Sequence, residues 1–270
     1  MTSVPRRLDA SVLENREETG GRRLRLAVGT DWPEAAPGQF VMLSPGAIPA
    51  VPRVDPLLPR PMAIFRREAA ALHVLYKVTG RGTALLADAA PGSRVRVVGP
   101  LGRGFALPAA GDLALLVGGG TGTASLFDLA ASAAAAGARV RVLLGARSAG
   151  DLLAEADFRA LGARVEVATE DGARGHRGLV TELLERALAE PEGAEAARVY
   201  ACGPTAMMRR AAEIAGAAGR PCQVSLENRM ACGFGVCLGC AVKRASEGYG
   251  LVCRDGPVFD AATLDWAGVP

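Results

Sequence analysis

The sequence predicts a β plus α/β protein closed by a small cysteine-bearing unit, and three observations carry that expectation. From Arg6 to about Gly104, short apolar–polar alternations are separated by turn residues, the pattern of an antiparallel β-barrel or sandwich. From Leu113 onward, apolar strands alternate with helical segments, the pattern of a doubly wound parallel sheet. Beyond Ser225 neither period persists, and four cysteines gather between Cys232 and Cys253. The expected units are therefore 1–106, 107–224 and 225–270.

In the first unit Leu24, Leu26 and Val28 alternate with Arg23, Arg25 and Ala27 after the turn Thr19-Gly20-Gly21. Val95 and Val97 alternate with Arg94 and Arg96 after Pro91-Gly92. The proline-rich stretch from Ser44 to Pro61 is expected as a surface loop leading into a strand at Arg60-Pro61-Met62-Ala63-Ile64. A second strand, Ala71 to Thr79, carries His73, Leu75, Tyr76 and Lys77. It ends in Gly80-Arg81-Gly82-Thr83, ahead of a short helix expected over Ala84 to Ala89. Glycines that admit close backbone approach, beside the unpaired N–H groups of a helix start, make a phosphate site or simply a turn.

After the linker Gly104–Gly111, the α/β unit is expected to run strand Leu113–Val117, helix Ala124–Ala136, strand Arg139–Leu144 and a helix around Asp157–Leu161. Strand Arg164–Ala168, helix Leu179–Ala189, strand Arg198–Ala201 and helix Thr205–Ala218 follow, with Cys222–Val224 closing the sheet. Such sheets bind ligands at the carboxyl ends of their strands. The first strand ends in Gly118-Gly119-Gly120-Thr121-Gly122-Thr123, a turn through which the backbone can approach a pyrophosphate. Thr123 holds the last glycine position of the dinucleotide fingerprint. Leu144-Gly145-Ala146-Arg147 stands where a ribose-binding acid would end the second strand, so an ordinary Rossmann dehydrogenase is not indicated. Cys202-Gly203-Pro204 follows another strand into the same crevice. Cys222, His73 and His176 read as packing or surface residues.

The thiols are spaced Cys232-x4-Cys237-x2-Cys240-x12-Cys253, the spacing of plant-type two-iron, two-sulfur sites. Gly233, Gly235 and Gly239 allow a tight loop whose N–H groups face bound sulfides. Four-cysteine zinc sites use two short knuckles as a rule, and only Cys237 and Cys240 make one. A Rieske centre needs two histidines beside two cysteines, and the two in the chain are distant from these thiols.

Composition excludes other classes. Thirty-one basic against 28 acidic residues give a net charge of +3 without a basic run, so no nucleic-acid footprint is expected. The richest apolar stretch, Leu113 to Leu144, is broken by Asp128, Arg139 and Arg141, so no membrane span is expected. With no signal segment in MTSVPRRLDASV, the expected location is cytoplasmic, with the cysteines as ligands or buried thiols instead of disulfides.

The order of parts resembles the ferredoxin-reductase-like flavoproteins. It runs from Arg60-Pro61-x-x, Gly80-Arg81-Gly82-Thr83 and Gly99-Pro100-Leu101-Gly102 to the glycine turn, Cys202-Gly203-Pro204 and a four-cysteine tail. The tail, SLENRMACGFGVCLGC from Ser225 and VCRDGPVFD from Val252, is similar to that of the electron-transfer subunits of NAD-dependent dihydroorotate dehydrogenases. That resemblance implies FAD against Arg60, Pro61, Met62, Ala63, Leu75, Tyr76 and Lys77, with Gly82 and Thr83 at its pyrophosphate. It implies NAD at Gly118, Gly119, Gly120, Thr121, Gly122, Cys202, Gly203 and Pro204, and a [2Fe-2S] cluster on Cys232, Cys237, Cys240 and Cys253. It further implies an FMN-containing dihydroorotate dehydrogenase catalytic subunit as partner in a heterotetramer of two of each, serving pyrimidine biosynthesis. Ala63 replaces the family's usual serine, and Thr121 and Ser125 its usual isoleucine and proline. Two alternatives stay open. One is a reductase subunit of ferredoxin:NADP or sulfide dehydrogenase type, with Arg147 able to accept a 2′-phosphate. The other is a zinc-stabilised, non-redox nucleotide-binding regulator.

Overall fold

The computed structural model describes residues 4–50, 55–191 and 196–270; the part of the proline-rich stretch at 51–54 lies outside the described residues. The first seven strands, β1 (Arg6–Glu18), β2 (Gly21–Ala27), β3 (Phe40–Leu43), β4 (Arg60–Ala63), β5 (Arg66–Glu68), β6 (Ala71–Tyr76) and β7 (Arg94–Leu101), form an antiparallel sheet ordered β4-β3-β7-β1-β2-β6-β5. The alternation seen in sequence is what makes it curl. Leu24, Leu26, Val95 and Val97 turn inward with Val41, Leu43, Leu72 and Val74 to form one core. Tyr76 is held in that core by its hydroxyl, which donates to Asn15 Oδ1 at 2.9 Å.

The helix after β6, α1 (Arg81–Ala87), starts earlier than the sequence predicts, with Gly82 and Thr83 inside its first turn. Thr83 explains the difference: its Oγ1 accepts from the N–H groups of Thr79 (2.9 Å) and Gly80 (3.2 Å), so a side chain caps what the glycines suggested was only a turn.

The second sheet is ordered β11-β10-β9-β8-β12-β13-β16, with β8 (Leu113–Gly119), β9 (Arg139–Ala146), β10 (Arg164–Thr169), β11 (His176–Arg177), β12 (Ala197–Cys202), β13 (Cys222–Ser225) and β16 (Val258–Asp260). Helices α2 (Phe127–Ala135), α3 (Glu155–Ala160), α4 (Val180–Ala189) and α5 (Thr205–Ala217) cover it. The first strand in sequence, β8, lies between β9 and β12, so the strand order reverses at its carboxyl end, where such sheets open a crevice.

Two expectations are corrected. The helix predicted from Ala124 is preceded by a 3-10 turn over Gly120–Leu126, and α2 begins only at Phe127. Nor does Cys222–Val224 close the sheet: β16, from the cysteine-bearing unit, pairs antiparallel outside β13, Gln223 facing Asp260 and Ser225 facing Val258. That edge was left unpaired by the first two units, and the tail returns to satisfy it. The tail's own hairpin, β14 (Ala241–Lys243) and β15 (Tyr249–Leu251), stands apart as a two-stranded sheet.

Barrel and α/β unit are joined by a mixed contact. Phe65, Phe127 and Phe158 stack in sequence, with centroids 4.5 and 5.4 Å apart, and Arg66 lies over the Phe127 ring at 4.3 Å. Arg23 binds Glu18 and Asp157, each at 2.7 Å. Beside them Asp128, in the first turn of α2, is pushed up to about 7 by burial, against the pull of Arg66 and the Arg67 amide. The folded chain therefore holds a proton there that the unfolded chain releases from about 3.8 upward. Stability is lost as pH rises through that window and levels off above about 7. Asp128→Asn is expected to gain thermal stability relative to wild type progressively over that range. Melting curves of both forms at about pH 5 and about pH 8 check it, and an equal difference at both would refute the assignment.

Candidate flavin, nucleotide and cluster sites

A cavity of about 340 Å³ opens where the barrel meets the second sheet. Its barrel wall is Arg60, Pro61, Met62 and Ala63 of β4 with Leu75, Tyr76, Lys77 and Thr83; its other wall is Thr121, Ser125 and the chain from Ser225 to Asn228. Tyr76 borders it while its ring belongs to the barrel core. Gly82 does not line the cavity but acts beneath it: a Cβ there would stand 2.6 Å from the Arg60 guanidinium, so only glycine lets Arg60 lie across the start of α1. A guanidinium over free helix N–H groups is a fit for the phosphates of a dinucleotide.

Two further cavities, of about 570 and 400 Å³, flank the glycine turn. Gly119, Gly120 and Pro204 border both, while Thr121, Gly122 and Gly203 border the smaller. A Cβ on Gly122 would meet Cys202 C and Gly203 N at 2.5 Å, so the two strand ends touch backbone to backbone. Two predicted nucleotide residues stay out of these cavities. Gly118 is packed beneath Thr123, whose Oγ1 would lie 2.9 Å from a Cβ there. Cys202 is fully buried. Its thiol donates to Ser225 O at 3.2 Å, lies 3.5 Å from Ser125 Oγ, and is pushed up to about 12 by burial. It supports the cavity wall from behind as a neutral group. Arg147 borders the larger cavity together with Glu170, an acid at the end of β10 that sequence reading did not single out. Lys77 reaches all three cavities and binds Asp151 at 2.8 Å.

The four thiols of the tail gather as two pairs. Cys240 and Cys253 are buried with sulfurs 3.2 Å apart. Cys232 and Cys237 interact at the surface. Burial raises the Cys232 thiol, but the amides of Cys237, Phe234 and Val236 and the Cys237 thiol outweigh it and bring it down to about 6. Burial and the neighbouring Cys240 push Cys253 up to about 12. Among the described residues, no group of three or more His, Cys, Asp or Glu converges on a single-ion site. Two pairs of thiols whose sulfurs accept from backbone amides, Phe234 N–H to Cys232 and Cys253 N–H to Cys240, suit a two-iron core, which takes two thiolates on each iron. The loop is held close to the barrel: a Cβ on Gly233, which has φ +81°, would meet Met42 Cγ at 2.8 Å. Met42 lies on β3, whose Phe40 lines the first cavity. On the outward side Phe234, Val236 and Leu238 are 50, 80 and 62% exposed, an apolar rim around Cys237.

A barrel with a phosphate-suited cavity, a parallel sheet with a nucleotide turn and a paired-thiol loop define a reductase-type flavoprotein carrying an iron–sulfur site. The comparisons agree. Residues 116–213 match the oxidoreductase NAD-binding domain, and residues 227–265 match the iron-sulfur cluster binding domain of dihydroorotate dehydrogenase B. The structure resembles a chain of the NADH-dependent reduced ferredoxin-NADP oxidoreductase, with TM-score 0.83 and 27% identity over 97% of this chain and 91% of that one. The dihydroorotate dehydrogenase B (NAD(+)) electron transfer subunit of Desulforamulus reducens is 40% identical over 86% of this chain and 87% of its own. Its counterpart from Geobacillus thermodenitrificans is 41% identical over 84% and 86%. The chain belongs to the family of dihydroorotate dehydrogenase B electron transfer subunits.

Proposed function

We propose that this chain carries electrons from dihydroorotate, oxidised at FMN on a catalytic partner subunit, through a [2Fe-2S] cluster and FAD to NAD⁺. The observation that carries the reading is the position of the paired thiols, between the strand that walls the first cavity and an exposed apolar rim. Electrons entering at the rim have a short path inward, and a partner covering Phe234, Val236 and Leu238 would bury apolar surface that is otherwise wet. The bound groups supply the redox chemistry, with FAD joining one-electron traffic on the cluster side to two-electron hydride exchange on the nicotinamide side.

The residues place and tune. Cys232 and Cys237 would hold one iron, Cys240 and Cys253 the other, and the amides of the glycine loop would hydrogen-bond the sulfides. Arg60 and the start of α1 would hold the FAD phosphates. Pro61, Met62 and Ala63 would lie along the ring, and the missing serine hydroxyl at Ala63 leaves that edge to backbone groups. Gly119 to Gly122, with Gly203 and Pro204, would admit NAD. The units 1–106, 107–224 and 225–270 thus correspond to FAD, NAD and cluster. Two copies of each subunit and a cytoplasmic location complete the reading; none of the described helices is long and apolar enough to cross a membrane.

A ferredoxin:NADP-type role is the second reading, favoured by the likeness to the NADH-dependent oxidoreductase and by Arg147 at the larger cavity. An anaerobic visible spectrum with iron and sulfide analysis, on the chain purified with its natural partner, separates the two. Flavin and cluster bands bleached by both dihydroorotate and NADH are expected. Bleaching by reduced pyridine nucleotide alone would remove dihydroorotate from the reading, and a colourless zinc protein would overturn it.

A further inference from the structure

Met42 stands where the wall of the flavin cavity meets the cluster loop. Side chains alternate along β3: Val41 and Leu43 enter the barrel core, whereas Phe40 and Met42 join a second core that also holds Cys240 and Cys253. Across the β3–β4 pairing Phe40 faces Ala63 and Met42 faces Pro61, and residues so paired share a face of the sheet. Phe40, Pro61 and Ala63 all line the flavin cavity, so Met42 is next to its wall on one side. On the other side it touches the cluster loop. A Cβ on Gly233, the residue after Cys232, would stand 2.8 Å from Met42 Cγ, 3.1 Å from its Sδ and 3.3 Å from Leu101 Cδ1, so only glycine lets the loop settle this closely on the barrel. Met42 and Leu101 are 1 and 4% exposed, which makes the contact a dry one.

The electron traffic proposed above has to pass between these two sites. Toward NAD⁺, each passage takes one electron from the reduced cluster, which is oxidised, to the flavin, which is reduced. Two passages and one proton from solvent supply the hydride that NAD⁺ accepts. No bond forms or breaks at Met42, and its sulfur keeps its oxidation state throughout. Two physical demands fall on the matter in between. Electronic coupling falls more steeply across a void or a water gap than through packed atoms, so the contact must be filled. The apolar shell around a metal site also sets its dielectric, and a dry neighbour disfavours the added negative charge of the reduced cluster, which holds its potential down. An unbranched thioether suits both demands, because it fills irregular gaps without bringing a polar group.

We propose that Met42 is the positioning residue of the flavin–cluster step, its packed side chain bridging the two sites and keeping water from the inner side of the cluster loop. The inference rests on the function proposed above, and the full chain with its cofactors tests it. Anaerobic stopped-flow mixing with NADH separates two events, bleaching of the flavin and the later bleaching of the cluster through it. Flavin bleaching is expected to keep its wild-type rate in every Met42 variant. Met42→Leu conserves volume and loses only the sulfur, so it is expected to match wild type in both events. Met42→Ala opens a void, so it is expected to slow cluster bleaching several-fold. Met42→Gln keeps the length but brings an amide dipole to the loop, so the cluster midpoint potential, read by spectroelectrochemical titration, is expected to rise. A roughly tenfold shift of the electron equilibrium toward the cluster corresponds to about 59 mV for a one-electron couple. A methionine that merely filled the core would destabilise its variants and move neither reading. Cluster bleaching at the wild-type rate in Met42→Ala, an unmoved potential in Met42→Gln, or equal slowing of both bleaching events would overturn the proposal, as would a Met42→Leu chain that behaves like Met42→Ala. If Met42→Ala fails to retain flavin or iron, the potential of Met42→Gln decides. A wild-type chain whose cluster is absent, or is not bleached through the flavin, would fail the functional reading before any variant is compared.

Discussion

Cys240→Ser is expected to strip iron and acid-labile sulfide from the chain and to abolish electron passage between the catalytic partner and NAD⁺, while NADH still bleaches the flavin. The asymmetry follows from placement. Cys240 is 1% exposed, pairs with Cys253 at 3.2 Å and also accepts the Cys253 amide at 3.4 Å, so it sits at the inner, structural side of the loop. Serine is a poor ligand for iron that prefers soft thiolates, and the loop around it has little else to hold it. Leu238 adopts φ +59°, a conformation costly for a residue with a side chain, which a bound core would compensate and an empty loop would not. The flavin and nucleotide cavities draw on other residues, so flavin absorbance and NADH bleaching should persist. Iron and sulfide assays beside the flavin spectrum of the variant check this. Retention of both inorganic components at wild-type levels would remove Cys240 from the ligand set. The same substitution at Cys222, buried at the start of β13 and outside the four-cysteine spacing, is expected to leave iron untouched.

What could be read from sequence divides along a physical line. The cysteine spacing and the glycine turn are local patterns whose chemistry is written in adjacent residues, and the fold gathers the four thiols as two pairs and opens two cavities beside the turn. The division of the thiols into a surface pair and a buried pair depends on β15 and the turn after it folding back beneath the loop, which spacing alone does not encode. Cys202 illustrates a different limit. It ends a strand facing the crevice, as predicted, but side chains alternate across a strand, and the position that pairs with Gly118 turns its thiol behind the wall toward Ser225. Glu227 had no signal at all. A single acid at the start of a tail reads as surface charge, and only the meeting of β13 with two cavities brings it to the border of both. The pairing of β16 with β13 is likewise a long-range event, decided by an edge that needs a partner.

Gly122→Ala is expected to cost the chain its pyridine nucleotide binding while leaving iron and flavin in place. Its added methyl would stand 2.5 Å from Cys202 C and Gly203 N and 2.6 Å from Cys202 O, which are backbone atoms that cannot rotate away. Relief must come from parting the glycine turn from the end of β12, and those two segments are the facing walls of the smaller cavity. Overpacking of this kind typically costs about 1–3 kcal/mol. Spread over a nucleotide site built from those same backbones, that is an affinity loss of roughly 5- to 150-fold. Titration of NADH fluorescence with the variant reads the affinity, and the rate of flavin bleaching by NADH at saturating concentration reads whether bound nucleotide still reaches the flavin. Gly120→Ala is the matched control. It lies in the same turn with φ +54°, but a Cβ there meets nothing within 4 Å, so it strains the backbone without pushing the two strand ends apart. A loss of NADH binding in Gly120→Ala equal to that in Gly122→Ala would mean that turn conformation, and not the close approach to Cys202-Gly203, builds the site.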